Sequence, residues 1–237
     1  MKVFYGLFLC VMIPLTSIFS QSSDVEGGVI LGATSYSGDV NPTITPRLKD
    51  IGVTYGLAAR VSLTNKFNFR SSLTSHHFQA DDKDYPERGG RNFKFSTNLY
   101  ELALVGEWEP FGKEHFYGDA QGNRIFKRLI SPYFYSGVMV GLATANPDFS
   151  GYKDNNPAML AGIRQDLTHG SANFVISLPL GFGIKYDLSE RMVIAVDGSL
   201  RLCFSDYIDG ISKAAGPTRN DLYSSAQVMV FYKFRKR

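Results

Sequence analysis

Two neighbouring stretches, 174–186 and 192–204, each alternate between bulky apolar residues and small or charged ones. Phe174, Ile176, Leu178, Leu180, Phe182, Ile184 and Tyr186 fall on one parity, and Ser177, Gly181, Gly183 and Lys185 on the other. The pattern repeats with Met192, Ile194, Val196, Leu200, Leu202 and Phe204 against Arg191, Asp197, Ser199, Arg201 and Ser205. Side chains alternate faces along a β-strand, so each stretch is a strand with one apolar face and one polar face. Strands of soluble domains usually run ~5–6 residues, and both stretches are roughly twice that. A soluble core strand does not tolerate so much inward charge, and a surface strand has no use for so large an apolar face. Transmembrane barrel strands need ~9–11 residues and carry an apolar outside against a polar inside, which is the combination seen here.

The same alternation recurs along the chain. Eight strands are predicted: Glu26–Ser37, Gly52–Thr64, Phe67–Phe78, Ser96–Glu109, Ser131–Thr144, the two stretches above, and Leu222–Phe234. In the last of these Phe231 interrupts the outward series Val228, Val230, Tyr232, Phe234. An even count is what single-chain outer-membrane barrels have. The fold expected is an all-β, eight-stranded antiparallel transmembrane barrel spanning residues 21–237. Tight turns follow strands two and six, and long polar connections follow strands one, three, five and seven. The connection after strand four, Pro110–Ile130, is long on the side where short turns belong. Tyr55, Phe67, Trp108, Phe204, Tyr232 and Phe234 near the strand ends fit interfacial aromatic girdles. A soluble lipocalin-like barrel is the rival fold, with the alternation inverted; strand length, even count and loop asymmetry favour the membrane.

Residues 1–20 read as a secretory signal peptide: Lys2, an apolar run from Val3 to Phe19, and Ser20 as a small residue before cleavage. Cys10 lies within the apolar run after bulky Leu9, which does not suit lipidation. Cleavage leaves Cys203 as the single cysteine, without an intramolecular disulfide. The longest near-apolar run beyond the leader, Tyr135–Ala145, is interrupted by Gly and Ser, so any membrane crossing must be made by strands. The net charge of +3 is spread along the chain and gives no footing for nucleic-acid binding.

Inside an eight-stranded barrel side chains fill the bore. The inward charges expected are Arg60, Arg70, Glu101, Glu107, Lys185, Asp197 and Arg201. They are mixed in sign and should neutralise one another, because buried charges need partners; an ion or proton path is the functional alternative. Chemistry elsewhere does not assemble. His76-His77 at the outer end of the third strand point apart and read as solvated, without a metal. Asp81, Asp82 and Asp84 lack the glycine and closing glutamate of a calcium loop and read as solvated charge. His169-Gly170-Ser171 sits in a loop without a nucleophile elbow or an orienting acid. Gly181-Phe182-Gly183 lies within a strand and makes room in the lumen rather than binding a nucleotide. No catalytic, cofactor or metal residue is assigned, and the protein is not read as an enzyme.

Five fragments, in order, resemble a family of small outer-membrane barrels: GATSYSGDV (32–40), LYELALVGEWEPF (99–111), SPYFYSGVMVGLATANP (131–147), LPLGFGIKYDLSERMVIAVDGSLRLCFSDYIDGIS (178–212) and NDLYSSAQVMVFYKF (220–234). They are similar to the PorG-like barrels, which include a component of the type IX secretion system. Met192 after Arg191, where an aromatic is usual, and Leu202-Cys203, where Thr is commoner, depart from the pattern. The resemblance implies an outer-membrane location, contact with outer-membrane lipids, and an anchoring role toward a periplasmic ring of PorK-like lipoprotein and PorN-like partner. Within this chain the candidate contact for that ring is the long connection, through Phe111, His115, Phe116, Arg124, Phe126, Lys127 and Arg128, because interfaces combine aromatics with arginine. The alternative is a small OmpA-like porin or surface-interaction barrel acting through its outer loops, Asn41–Asp50, Asp81–Arg91 and Asn146–His169.

Overall fold

The computed structural model describes residues 25–41, 48–85, 90–112, 116–118, 124–126, 129–215 and 220–234. Residues 1–20, read from the sequence as a leader, lie outside them. Eight long strands form the wall: β1 (Val25–Ser37), β2 (Ile51–Ser62), β3 (Phe67–Asp81), β4 (Lys94–Trp108), β7 (Ile130–Asp148), β8 (Ala172–Asp187), β9 (Met192–Cys203) and β10 (Leu222–Phe234). Among the described residues two short strands, β5 (Phe116–Gly118) and β6 (Arg124–Phe126), pair with each other as a separate ribbon. Every wall strand is antiparallel to its neighbours, and β1 pairs with β10 in the register Val25↔Phe234 to close the barrel. Closure leaves no edge, which is the condition for a sheet to sit in lipid.

The outward face supplies the second condition. Leu31, Val53, Leu57, Leu73, Leu102, Leu104, Val138, Ile176, Phe182, Ile184, Val196 and Val228 are all exposed. The lipocalin-like rival needs the opposite polarity, so the chain is a transmembrane barrel. Its outward aromatics include an unbroken row across four paired strands, Phe67↔Trp108↔Phe134↔Phe182, in which the Trp108 and Phe134 rings lie 6.1 Å apart. Among the described residues no helix is long and apolar enough to cross a membrane; the strands do so.

The two ends differ. At the end carrying Val25 and Phe234, the connections from β2 to β3 and from β8 to β9 are tight. The hydroxyl of Thr64 accepts from the Lys66 and Phe67 amides, and that of Ser189 from the Arg191 and Met192 amides, the side-chain-to-backbone bonds that make such turns. The β4–β7 connection leaves from this same end and carries the β5–β6 ribbon.

At the opposite end β3 runs to Asp81 and β7 to Asp148, each past the sequence-predicted limit. Their last outward residues, Gln79 and Asp81, Asn146 and Asp148, are polar. The expected loop 146–169 contains a helix, α1 (Pro157–His169), whose cap Asn156 accepts from the Ala158 and Met159 amides at 3.0 and 3.4 Å. Asn at the cap followed by Pro in the first turn is a strong helix start.

Candidate functional site

Inside, the bore divides into a charged layer toward the tight-turn end and an aromatic cap toward the loop end. Glu107, fully buried on β4, is the hub of the charged layer. Its carboxylate lies 3.0 Å from Arg60 Nε, 3.0 Å from Arg70 Nε and 2.5 Å from Lys185 Nζ. Each cation has a second partner: Arg60 donates to Glu26 at 2.7 Å, Arg70 to Asp197 at 3.0 Å and Lys185 to Glu109 at 2.6 Å. Tyr133 donates to Asp197 at 2.9 Å. Aromatic faces complete the cation shells, with Phe231 3.8 Å from the Arg60 guanidinium and Tyr133 4.4 Å from Lys185 Nζ. Gly181 and Gly183 make this packing possible: a Cβ on either would stand 2.2 Å from the Tyr135 ring or 2.6 Å from the Tyr133 ring.

Above this layer Arg201 Nε lies 3.4 Å from Glu101, and its guanidinium donates to Ser199 and Ser225 at 2.6 and 2.5 Å. Glu101 also accepts a very short hydrogen bond from Tyr223. His76 is wholly buried beside it, bonded to Thr54 at 2.8 Å and Thr74 at 3.0 Å.

The structure thus brings together inside the barrel all seven inward charges named from the sequence. It adds Glu26, Glu109, Asn68 and His76. Glu109 shares the parity of Glu101 and Glu107 and could have been read from it; Glu26 lies on the glycine-rich β1, where alternation is faint. Two readings are corrected. His76 is a lumen residue and not a solvated one, because it shares the inward parity of Asn68, Arg70 and Thr74 on β3 and is buried. Asp82 is not solvated charge: it is buried and takes the Arg91 guanidinium on both oxygens at 2.8 and 2.9 Å. Phe231, the apparent break in β10, is an inward residue under Arg60 and keeps the parity. Among the described residues large buried side chains, Arg60, Tyr133, Met229 and Phe231 among them, occupy the bore, the filling expected of an eight-stranded barrel.

The cap is a cluster of Tyr36, Val40, Phe78, Phe93, Phe95, Leu99, Ile163, Ile208, Ile211 and Tyr223, all buried. It draws the β9–β10 connection and α1 over the mouth of the barrel. Asp166 of α1 clamps that connection by accepting from the backbone amides of Ser212, Lys213 and Ala214 at 3.2, 2.9 and 2.9 Å. His169, read from the sequence as a loop residue, ends α1 and stacks on Tyr207 with ring centroids 3.9 Å apart. Asp166→Ala strands three backbone donors, two of them, on Ser212 and Ala214, buried. Leaving a buried group unsatisfied costs about 1–3 kcal/mol, so hydrogen exchange should speed up across 205–215 while the β1–β4 amides keep their protection.

Of the candidate partner residues, Phe111 is 81% exposed beside the tight-turn end. Phe116, Arg124 and Phe126 belong to the β5–β6 ribbon, with Phe116 opposite Phe126 in its register. His115, Lys127 and Arg128 lie outside the described residues.

Comparison with known proteins places the chain. The family described as Domain of unknown function (DUF6089) matches residues 2–230. The chain belongs to this family. Among curated proteins none matches it in sequence. Similar solved structures include the attachment invasion locus protein Ail of Yersinia pestis, crystallised with the heparin analogue sucrose octasulfate (11% identity, 90% of this chain, 97% of that chain, TM-score 0.43). The N-terminal β-barrel domain of Pseudomonas aeruginosa OprF (13%, 90%, 98%, 0.43) and Neisserial surface protein A (14%, 90%, 98%, 0.43) are also similar. The closure and membrane polarity of this DUF6089 barrel rest on its own strand pairing and exposed face.

Proposed function

We propose that this DUF6089 barrel sits in the outer membrane of a Gram-negative-type bacterium and serves as an anchor for a secretion machine, with no enzymatic role. The observation that carries the reading is the β5–β6 ribbon. Outer-membrane barrels keep their short turns at the periplasmic end, and this chain places a paired ribbon there, next to an exposed Phe111. A solitary two-stranded ribbon is marginally stable in water, which favours a partner that holds it. The filled lumen supports an anchoring role over a porin role.

The partner proposed is the periplasmic ring of the type IX secretion system, built from a PorK-like lipoprotein and its PorN-like companion. Phe111, Phe116 and Phe126 would supply apolar contacts, and Arg124, Lys127 and Arg128 charged ones. His115 lies in the same connection. The wall meanwhile contacts outer-membrane lipids.

The test is affinity purification of the tagged barrel from gently solubilised outer membranes, with residues 113–127 intact or replaced by a Gly-Ser turn. Ring proteins should accompany the intact chain and be lost from the replaced one, and secretion should fall with them. Undiminished recovery and secretion after replacement would refute the reading.

A further inference from the structure

The loop-end cap contains a group of acids that the anchoring role leaves unused. Tyr36 Oη lies 2.6 Å from Asp209 Oδ2 and 2.5 Å from Asp221 Oδ1. The Asp39 amide also donates to that phenol oxygen at 3.1 Å. A phenol has one hydrogen to give. It can satisfy one of the two carboxyl groups, and the other is held at hydrogen-bond distance only if it carries a proton of its own. Tyr36, Asp209 and Asp221 are all buried.

The other carboxyl oxygens are engaged by the loop backbone. Asp221 Oδ2 accepts from the Ile208 amide and Asp209 Oδ1 from the Ile211 amide, each at 2.8 Å. Between these amides Gly210 has φ of 77°, a left-handed conformation that favours glycine, and a Cβ there would stand 3.0 Å from that of Ala145. Ile208 and Ile211 are thereby pinned into the cap, and Thr97 holds the Ile208 carbonyl at 2.7 Å.

We propose that Tyr36, Asp209 and Asp221 form a proton-dependent latch that keeps the β9–β10 connection folded into the mouth of the barrel. When the shared proton leaves to water, two carboxylates face each other across one phenol in a dry site, and the loop carrying Asp209 is pushed out. Two further acids near the latch, Asp39 after β1 and Asp206 on the same loop, add to this repulsion. Cys203 ends β9. Arg91, on the β3–β4 connection, gives its guanidinium to Asp82 and to the Asp39 carbonyl. Phe78 packs against Tyr36 on one side and against His76 and Tyr223 on the other, with Glu101 and Arg201 deeper in the bore.

Burial and the mutual repulsion of Asp209 and Asp221 hold both carboxyls well above the ordinary carboxylate range. The sign follows from that direction. A carboxyl whose folded pKa is raised binds its proton more tightly when folded, so its stabilisation is full at acidic pH and is lost as pH rises through the raised value. The latch is therefore shut in acid and released in alkali.

The test is hydrogen exchange of the refolded full-length barrel in lipid vesicles, from about pH 5 to about pH 9, corrected for the intrinsic pH dependence of exchange. The peptide spanning 204–215 should lose protection roughly tenfold or more across this range, while β10 keeps its own. Asp209→Asn, which cannot ionise, should flatten the dependence; Asp221→Asn serves if the first variant does not fold. Constant protection of 204–215 in the unsubstituted barrel would overturn the latch. So would protection gained toward alkali, an unchanged slope in a folded Asn variant, or a loss that β10 shares.

Discussion

Replacing Glu107 by alanine is expected to destabilise the barrel by about 3–5 kcal/mol, the range for removing one partner from a buried ionic group. Glu107 is the carboxylate shared by Arg60, Arg70 and Lys185, and it is fully buried. Its loss leaves three cations whose other anionic partners, Glu26, Asp197 and Glu109, are each engaged by one of them. Urea titration of the barrel refolded in vesicles reads the effect, with the heat-dependent gel shift reporting folding. Glu107→Gln keeps the volume and one acceptor oxygen and should lose less. A loss below about 1 kcal/mol for Glu107→Ala would mean that the network behaves like an exposed ion pair and that water, rather than side chains, fills this part of the lumen. The prediction does not make the network a net source of stability. A buried ion pair can often be exchanged for apolar residues of similar volume without loss, and the geometry here fixes specificity: Glu107 pairs with cations of β2, β3 and β8 at once and so holds their relative register.

The alternation of β2, β4, β8 and β9 made the wall legible before any coordinates, because a period of two leaves no freedom once one face must meet lipid. Parity proved a better guide than polarity. Phe231 looks like an error in β10 when residues are sorted by hydrophobicity, yet its parity places it inside, where the Arg60 guanidinium lies over its ring at 3.8 Å. Glu109 was within reach of the same rule. His76 lies inside the predicted third strand on the inward parity of Asn68, Arg70 and Thr74, and reading the pair His76-His77 as solvated set that parity aside. Beyond the bilayer the constraint relaxes and the pattern stops, and there the sequence reading loses its grip. The α1 helix had a local signal, Asn156-Pro157, that went unused. The Asp166 clamp and the Tyr36–Asp209–Asp221 latch had none, since they join residues 46 to 185 positions apart, and no spacing rule reaches that far.

The largest effect expected on the outer face is at Leu102. It lies near the centre of β4, faces outward, and is flanked by Leu73 and Val140 on the paired strands. Leu102→Arg should cost about 2–4 kcal/mol in vesicles, the penalty for a lipid-facing arginine at the bilayer midplane. Gln79→Arg, an outward position near the loop end of β3, should cost about 0–1 kcal/mol, as positions near the interface do. The contrast separates lipid from water as the outer solvent. On a soluble barrel both substitutions would be surface changes within about 0.5 kcal/mol of neutral, and the two would be indistinguishable. The difference between them, measured by urea titration in the same vesicles, reports whether the outward face at Leu102 meets lipid. Equal costs would remove the membrane from the description of this barrel, and with it the orientation that points the β5–β6 ribbon toward the periplasm.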